Sequence, residues 1–414
     1  MSTIHIALLG YGTVGKGVYQ TIKTHQNRFK AILGKEVKIE AVLVKNLEKH
    51  KLPDQDVILT NKFEDIINLP KLDVVIDAIV GKEPGFSYLS QAIKRGCHII
   101  TANKQMFAHY GRELLSLAEK HGVSVGFEAT VAGGIPVIQT LRKLLSVNHI
   151  KKVDGILNGT SNFILTKMRE EGLSFSDALS LAQEKGYAEA DPTNDVEGFD
   201  AFYKAMILSE VIYGKQPDWE TVQKQGISSI TLEQIELFSK LGLRFKHVAT
   251  LEKTAKGIHC SVKPVLVSSS HPLFHVEDVQ NAVSIDADIV GNISLQGPGA
   301  GMFPTASAIV EDLIQLEAER ARPEEGADHE IFTHKPLLTW VLYGEVNKFE
   351  IPDSLEIIGE INSKTLLVLA KEESIENFQN QIKGITVYQL LGEFTFSNAE
   401  EIPYSTAKHS IIGS

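Results

Sequence analysis

The sequence predicts an α/β protein that opens with a doubly wound parallel sheet, and three observations support this fold class. Short apolar runs alternate with longer helical patterns over the first third of the chain. A glycine-rich turn joins the first run to the first helical pattern, and Gly96 and Gly122 stand where two later helices should end. Alternation of this kind is typical of parallel strands joined by crossover helices on both faces of a sheet.

Each element of this first region follows from its own pattern. Apolar runs predict strands at residues 4–9, 39–44, 73–79, 98–101 and 123–127. Helical patterns cover residues 13–29, 86–95 and 106–121. The pattern changes at the AGGIP sequence of residues 132–136, so we place a first domain at residues 1–131.

The rest of the chain divides into three further parts. Strand-like pieces mixed with helical patterns predict an α+β domain over residues 132–299. The glycine-rich turn at residues 297–301 precedes an apolar helix, and we expect residues 300–320 to return to the first domain. Proline, glycine and acidic residues predict a linker at residues 321–354, followed by a small α+β domain at residues 355–414.

Composition restricts the partners that this chain can have. The 41 basic and 52 acidic residues give a formal net charge of -11, which argues against nucleic acid and anionic membrane as partners. Only Cys97 and Cys260 occur, too few for a disulfide framework or a thiolate metal site, and this favours the cytoplasm. No apolar run approaches the ~18 residues of a membrane span, and no signal-peptide pattern precedes the first strand.

The first motif with chemical meaning is GYGTVG at residues 10–15, which follows the first strand and opens the first helix. In this Rossmann-like context, the first glycine permits a tight turn, the second lets the backbone approach a pyrophosphate, and the third permits close helix packing. The alternative is a glycine-rich turn without a nucleotide. The residues expected to contact a dinucleotide here are Gly10, Gly12, Thr13, Val14 and Gly15.

The end of the second strand bears on the choice of dinucleotide. An acidic residue at this place would bind the ribose 2′-hydroxyl of NAD, but the sequence has Lys45 instead. A lysine can form an ion pair with the ribose 2′-phosphate of NADP, so we expect NADP as the cofactor and leave the use of NAD open. The alternative is a solvated lysine at a strand end.

Two polar motifs follow predicted strands. Lys104 ends the TANK sequence of residues 101–104, at the strand edge where open α/β sheets bind ligands. The NGTSN sequence of residues 158–162 can cap a helix or contact a substrate, and the sequence does not choose between these roles. A solvated Lys104 is the alternative for the first motif.

Residues 186–204 carry five carboxylates and end with a lysine. A helix that begins near Asp195 would place Asp200 and Lys204 on one face, because they are four residues apart. A charged surface helix or an acidic metal site are the alternatives. The apolar residues 205–208 argue against the first, and the competing charge of Lys204 argues against the second.

These motifs, together with EATVAGGIP at residues 128–136, resemble those of homoserine dehydrogenases over about residues 1–320. Members of that family interconvert L-homoserine and L-aspartate 4-semialdehyde with NAD(P), on the route to threonine and methionine. The resemblance implies that Lys204 carries the proton, that Asp200 and Glu189 hold the substrate, and that Lys104 assists at the reacting oxygen and the cofactor. We expect the two lysines to lower each other's pKa.

The resemblance also implies contacts outside the proton-transfer site. Gly186 and Gly301 correspond to positions where the family contacts its cofactor. A homodimer through the middle domain and a faintly ACT-like regulatory tail are further expectations. A structural sodium ion would be bound largely by backbone carbonyls of Glu128, Val131, Gly133 and Ile135.

Two other functions remain open at this point. The chain could be another amino-acid dehydrogenase, such as one acting on aspartate, or a dinucleotide-binding sensor without catalysis. The acidic block that ends at Lys204 argues against both, because neither function accounts for it. Oxidation of homoserine compared with that of aspartate would separate the two enzymes, and absence of any turnover would favour the sensor.

Overall fold

A computed structural model describes residues 2–255, 257–318, 337–345, 350–382 and 384–394. The first sheet has six strands in the order β3-β2-β1-β4-β5-β6, and every adjacent pair is parallel. Its strands are β1 Thr3–Leu9, β2 Glu36–Leu43, β3 Ile58–Thr60, β4 Val74–Asp77, β5 His98–Thr101 and β6 Val125–Gly126. The helices of this part are α1 Thr13–Thr24, α2 Gln26–Leu33, α3 Phe63–Ile67, α4 Gly85–Arg95 and α5 Lys104–His121.

Helices cover both faces of this sheet, so the predicted doubly wound fold class is confirmed. Alternate residues of β1 point to opposite faces: Ile6 packs in the cluster that holds α1, and Ala7 packs in the cluster that holds α4 and α5. The predicted helix at residues 13–29 is two helices that meet at His25. The Thr24 hydroxyl donates to the Gln20 carbonyl at 2.9 Å, a local bond of the kind that competes with helix continuation.

The second part of the chain builds a mixed sheet flanked by helices. Its strands are β7 Ile150–Ile156, β8 Gln223–Lys224, β9 Arg244–Thr254, β10 Gly257–Val267, β11 Gln280–Ala287 and β12 Gly291–Pro298. Its helices are α6 Val137–Gln139, α7 Gly159–Glu171, α8 Phe175–Glu184, α9 Thr193–Val196, α10 Phe199–Tyr213 and α11 Leu232–Lys240. The sequence did not predict β9 or β12. Five charged side chains or histidines interrupt the apolar pattern of β9, and β12 alternates half-buried with exposed residues at the sheet edge.

Helix α12, Met302–Ala318, returns to the first sheet. Ile309 and Leu313 are fully buried in the same cluster as Val18 and Ile22 of α1. A Cβ on Gly17 would lie 2.5 Å from the Met302 carbonyl oxygen, so α1 and α12 approach too closely for any side chain at residue 17. The first domain therefore takes one of its covering helices from a distant part of the sequence.

The tail extends the second sheet instead of standing apart from it. It comprises β13 Leu338–Gly344, β14 Leu355–Asn362, β15 Thr365–Ala370, α13 Glu372–Gln381 and β16 Ile385–Leu391. Strand β16 pairs in parallel with β10, which gives ten strands in the order β12-β11-β7-β9-β10-β16-β13-β15-β14, with β8 also on β10. Residues 338–344 are thus strand, although we predicted linker for residues 321–354; residues 319–336 lie outside the described part. No described helix is long and apolar enough to cross a membrane.

Candidate active site

The acidic block of residues 186–204 folds into two helices, not the single one that its pattern predicted. Helix α9 ends at Val196, Gly198 adopts a left-handed φ of +83°, and α10 begins at Phe199. A Cβ on Gly198 would lie 3.1 Å from the His247 ring, so this turn packs tightly on the second sheet. The change of direction brings the carboxyl groups of Asp195 and Asp200 to the same asparagine.

A carboxylate between two ammonium groups forms the centre of the site. Asp200 Oδ1 lies 2.8 Å from Lys104 Nζ, and Asp200 Oδ2 lies 2.6 Å from Lys204 Nζ. The residues Asp200 and Lys204 are 4% and 8% exposed, whereas the Lys104 side chain is 45% exposed. Because Lys104 belongs to the first domain and α10 to the second, the two domains meet at this row of charges.

The turn after β7 supports this row. Leu157 offers its carbonyl oxygen to Lys204 Nζ at 2.6 Å. Asn158 donates through Nδ2 to Asp195 at 2.7 Å and to Asp200 at 2.9 Å, while its Oδ1 accepts from the Ser161 backbone and caps α7. Asn158 therefore caps the helix, one of the two roles that the sequence left open, and in addition holds two carboxylates of the site.

Lys104 is held by the capping chemistry of its own motif. Asn103 Oδ1 accepts from the Met106 backbone at 3.1 Å and caps α5, and its Nδ2 donates to the Gly81 carbonyl at 2.7 Å. The Thr101 hydroxyl donates to the buried Asp77 at 2.8 Å. Since Lys104 is the first residue of α5, these bonds fix its position at the carboxyl edge of β5.

The charges have opposite effects on the two lysines. Burial opposes ionisation of Asp200, but Lys104 and Lys204 together hold the pKa of that carboxyl well below its usual range. Burial lowers the pKa of Lys204, Asp200 opposes this effect and Lys104 adds to it. Attraction to Asp200 raises the pKa of Lys104, so our expectation that both lysines would have lowered pKa values is wrong for Lys104. Attraction to the carboxylate outweighs the effect of burial on the pKa of Lys104, whereas burial prevails at Lys204.

The glycine-rich turn combines two tightly packed glycines with one that faces open space. Gly10 has a φ of +99°, and a Cβ there would lie 2.8 Å from the Ala78 carbonyl oxygen. A Cβ on Gly15 would lie 2.1 Å from the Gly10 carbonyl oxygen, so Gly15 is required for packing. At Gly12 no atom lies within 4 Å of such a Cβ, which leaves the backbone open to a ligand. Thr13 and Val14 follow in the first turn of α1.

Comparison with known proteins identifies the family. Two family models match, "Homoserine dehydrogenase" over residues 136–314 and "Homoserine dehydrogenase, NAD binding domain" over residues 10–128. A homoserine dehydrogenase of Bacillus subtilis is 44% identical over 319 residues, which cover 76% of this chain and 73% of the relative. The chain belongs to the homoserine dehydrogenase family.

Solved homoserine dehydrogenases have the same fold. The structure from Thiobacillus denitrificans matches with a TM-score of 0.85 and 33% identity, covering 94% of this chain and 98% of that one. A hyperthermophilic archaeal homoserine dehydrogenase in complex with NADPH matches with a TM-score of 0.66 and 31% identity, covering 76% and 98%. An NAD(+)-dependent homoserine dehydrogenase of Pseudomonas canavaninivorans is 35% identical over 78% of this chain and 99% of its own length.

Membership of the family establishes the reaction class and resolves the alternatives that the sequence left open. The protein is an NAD(P)-dependent oxidoreductase that interconverts homoserine and aspartate 4-semialdehyde. Neither an aspartate dehydrogenase nor a non-catalytic sensor is needed to explain the chain. The acidic block that ends at Lys204 lies within the matched residues.

The remaining predicted site residues lie around this centre. Glu189 is exposed in the loop after α8, and its charge contributes to the raised pKa of Lys104. Gly186 in the same loop and Gly301 before α12 are both exposed, with left-handed φ values of +73° and +124°. Lys45 is exposed directly beyond the buried Val44, on the chain that leaves β2.

The segment predicted to bind sodium presents carbonyl oxygens, not carboxylates. The buried Glu128 carboxylate accepts from the backbones of Ile138 at 2.9 Å and Gln139 at 2.7 Å, so its side chain is already engaged. No described residue donates a hydrogen bond to the carbonyl oxygens of Val131 and Gly133, both of which are buried residues. No described group of three His, Cys, Asp or Glu side chains could hold a metal. Of the four predicted carbonyls, those of Val131 and Gly133 are thus open to a cation, whereas the Glu128 carbonyl accepts from the Val131 backbone at 3.3 Å and the Ile135 carbonyl from the Val137 backbone at 2.8 Å.

Sequence reasoning missed three groups at the centre: Asp195, the Leu157 carbonyl and the bridging role of Asn158. The spacing of Asp195 and Asp200 hinted at a shared partner, since both belong to one acidic block. The bond from Lys204 Nζ to the Leu157 carbonyl joins residues 47 apart in the chain, and no local pattern indicates such a contact.

Proposed function

We propose that Lys204 is the group that exchanges a proton with the reacting oxygen of homoserine and aspartate 4-semialdehyde. The supporting observation is the row of Lys104, Asp200 and Lys204 where the two domains meet, in which Asp200 and Lys204 are buried. An ammonium has three N–H donors, and Lys204 uses one on Asp200 and one on the Leu157 carbonyl. The third donor remains for a substrate oxygen.

In the reductive direction, Lys204 donates its proton to the carbonyl oxygen of the semialdehyde as that oxygen becomes a hydroxyl. When bound, the nicotinamide supplies the hydride, and in the oxidative direction it accepts one. Burial favours the neutral amine that remains on Lys204, which brings its proton affinity closer to that needed for general acid–base catalysis. Asp200 orients the amine in both directions.

Lys104 and Glu189 complete the proposed substrate site. The Lys104 side chain is exposed, so it can approach the cofactor. Its pKa is raised, so it keeps its charge when Lys204 has lost its proton and can still donate to the reacting oxygen. Glu189 and Asp200 supply negative charge for the ammonium group of the substrate. For the cofactor, we assign Gly10, Gly12, Thr13, Val14 and Gly15 to the pyrophosphate, with Gly186 and Gly301 as further contacts.

The test of the Lys204 assignment is the variant Lys204→Met. Aspartate 4-semialdehyde is mixed with the purified protein, and the loss of NADPH absorbance is followed. We expect a loss of about 10²- to 10⁴-fold in kcat, because a positioned proton donor has been removed, with NADPH binding nearly unchanged. The variant Lys185→Met on an exposed helix end serves as the matched control. Retention of most activity in Lys204→Met would contradict the assignment.

We propose NADP as the preferred cofactor, with NAD as a poorer one. Lys45 stands where NAD-specific sites carry a carboxylate, and Lys49 and His50 follow in the same loop. The variant Lys45→Glu should raise the KM for NADPH about tenfold or more, because an interaction with a 2′-phosphate is lost. Its KM for NADH should stay the same or fall. Equal changes for both cofactors would contradict the role of Lys45.

We also propose that a sodium ion binds the carbonyls of Glu128, Val131, Gly133 and Ile135. Ala132 and Gly133 both have a left-handed φ of 55°, a local geometry that lets successive carbonyls turn toward one point. The midpoint of thermal unfolding should then be higher in sodium chloride than in tetramethylammonium chloride at equal ionic strength. Identical midpoints would contradict a stabilising sodium site.

A homodimer through the second sheet is the assembly that we propose. Strand β12 pairs with β11 and has no second partner strand among the described residues. Exposed apolar side chains lie near this edge at the chain segments 144–147 and 289–290, which Asn148 joins through a 3.0 Å bond to the Val290 backbone. Light scattering should give twice the mass of one chain, and Val147→Asp should reduce it. A monomer at micromolar concentration would contradict this assembly.

A further inference from the structure

The Leu157 carbonyl oxygen accepts two hydrogen bonds. Lys204 Nζ donates at 2.6 Å, and Asn281 Nδ2 donates at 2.9 Å. Asn281 belongs to β11, where its neighbour Ala282 pairs with Ile156, so the asparagine lies beside the end of β7. The carbonyl that contacts the proposed proton carrier is therefore shared with a side chain from the adjacent strand.

The surroundings of Asn281 suggest that packing alone does not explain it. The residue is 1% exposed, and its Oδ1 has no hydrogen-bond partner among the described residues. A buried amide with one unpaired oxygen is costly, and a leucine of similar size would avoid this cost. A Cβ on Gly299 would lie 2.0 Å from the Asn281 Cγ, so the glycine-rich turn before α12 leaves room for this amide. The fold thus accommodates a buried amide here, although its unpaired oxygen lowers the stability of the folded state.

We propose that Asn281 is a positioning residue for Lys204, acting through the Leu157 carbonyl that both side chains share. A carbonyl that accepts from an ammonium stabilises its charged form, and a second donor on the same oxygen weakens that preference. When Lys204 gives up its proton, Asn281 still satisfies the buried carbonyl, which would otherwise lose its strongest donor. This proposal rests on the role of Lys204 proposed above.

The charged groups around Lys204 come from three helices. Asp200 lies on α10, Lys104 on α5 and Asp195 on α9, and each of the three affects the proton affinity of Lys204. Asn281 approaches from the sheet and adds no charge. Its replacement by an uncharged residue should therefore change Lys204 through the shared hydrogen bond alone.

The experiment measures kcat for homoserine oxidation from about pH 6 to about pH 10 with saturating NADP. Oxidation requires Lys204 as the neutral base. The plot of kcat against pH should therefore have a rising limb, whose position is set by the proton affinity of Lys204. Asn281→Leu removes the second donor, so the Leu157 carbonyl accepts more strongly from the Lys204 ammonium. The limb should therefore move to higher pH by about 0.5 to 1 unit. Below the limb, kcat should fall about three- to tenfold.

Asn281→Asp keeps the shape of the side chain and should shift the limb further in the same direction, because a carboxylate would favour the ammonium. Ser284→Ala is the matched control: Ser284 is buried on the same strand and is bonded to Asn292 instead of to the site. It should keep the limb of the parent protein. The midpoint of thermal unfolding is measured for every variant.

A limb that stays in place in Asn281→Leu, with only a lower unfolding midpoint, would overturn the proposal and leave Asn281 a packing residue. So would a limb that moves equally in Ser284→Ala. If Asn281→Leu does not fold, Asn281→Ala, which also removes the donor and adds no charge, is measured in its place with the same criteria. Lys204→Met is assayed alongside: turnover in that variant would show that the assignment of Lys204 has failed, whatever Asn281 does.

Discussion

Asp200 is the residue on which the charge balance of the site depends. It contacts both lysines through different oxygens, at 2.8 and 2.6 Å, and it is almost fully buried. Without this carboxylate, two amines would face each other in a site with little solvent, and each would favour the neutral form of the other. Asp200 therefore keeps Lys104 charged and leaves Lys204 as the lysine with a lowered pKa.

The variant Asp200→Asn tests this balance. The loss of the negative charge should lower the pKa of Lys204 further, because burial and repulsion from Lys104 remain. The rising limb of kcat for homoserine oxidation should thus move to lower pH, opposite to the shift expected for Asn281→Leu. The maximal rate should fall about 10- to 100-fold as a charged hydrogen bond is lost. Asp191→Asn, whose exposed carboxylate contacts only Thr193, is the control, and an upward shift in Asp200→Asn would contradict the account.

At this scale the sequence predicted what is local. Asp200 and Lys204 could be paired because residues four apart on a helix are neighbours. The contacts of Lys104 with Asp200, and of Asn281 with Leu157, join residues far apart in the chain and depend on how the sheets pack. The resemblance to a family supplied Lys104 as a partner, whereas nothing in the sequence indicated Asn281.

Among the elements, the start of α1 shows how different neighbouring glycines can be. Gly15 lies against the Gly10 backbone, while Gly12 faces open space. Gly15 is needed for the packing of the fold, whereas nothing in the fold excludes a side chain at Gly12, the glycine that we propose faces the pyrophosphate. The GxGxxG spacing predicted the packing role of Gly15, because the strand and helix around it are strongly patterned, and the ligand role of Gly12 stays a prediction.

These two glycines give a matched pair of alanine variants. Gly15→Ala forces a methyl group to 2.1 Å from the Gly10 carbonyl oxygen and should lower the free energy of unfolding by about 1–3 kcal/mol or more. Gly12→Ala should leave the unfolding midpoint unchanged but raise the Kd for NADPH about tenfold, since the backbone can no longer approach the pyrophosphate. Calorimetry and fluorescence titration measure the two effects. A Gly12→Ala protein with parental affinity would place the pyrophosphate elsewhere.

The elements that the sequence mispredicted have physical reasons. The break at Gly198 depends on the close approach of His247 from β9, a strand whose own pattern is obscured by charged and histidine side chains. The position of β12 at a sheet edge gives it a weak apolar signal. The helix break at Gly198 and the strand β12 therefore both depend on packing against elements that are distant in the sequence.

For the whole molecule, the tail and the catalytic part share one sheet. Strand β16 pairs with β10, and Lys263 of β10 forms a 3.0 Å ion pair with Glu372 at the start of α13. Both residues are less than one-tenth exposed, and Lys263 also lies 5.0 Å from the centre of the Trp340 ring. Val262 precedes Lys263 on β10, so its side chain points to the other face of the sheet. There it packs against the turn at Gly198, directly before α10.

This continuity predicts that damage in the tail destabilises the whole protein. Glu372→Gln leaves the buried Lys263 ammonium without a carboxylate and should lower the free energy of unfolding by about 3 kcal/mol. Because the sheet is continuous, heat should still unfold the chain in one transition, coincident with loss of activity. Glu356→Gln on the exposed face of β14 is the control and should have no effect. A separate early transition in Glu372→Gln, with activity retained above it, would show an independent tail.

The tail also marks the limit of what the sequence could predict for the whole molecule. The strands after residue 355 follow from alternating and apolar runs, but their attachment to β10 is a long-range pairing without a local signal. The strand at residues 338–344 was hidden because the charged segment before it suggested that a linker continued. Doubly wound topology was predictable, since it repeats a local rule along the chain.

The most direct test of the account is a crystal structure of the protein with NADP and homoserine bound together. We expect Lys204 Nζ to lie within hydrogen-bonding distance, about 2.6 to 3.2 Å, of the homoserine hydroxyl oxygen, with Asp200 still between the two lysines. An amine of Lys204 that bonds only to protein atoms, with the hydroxyl held by another group, would contradict it.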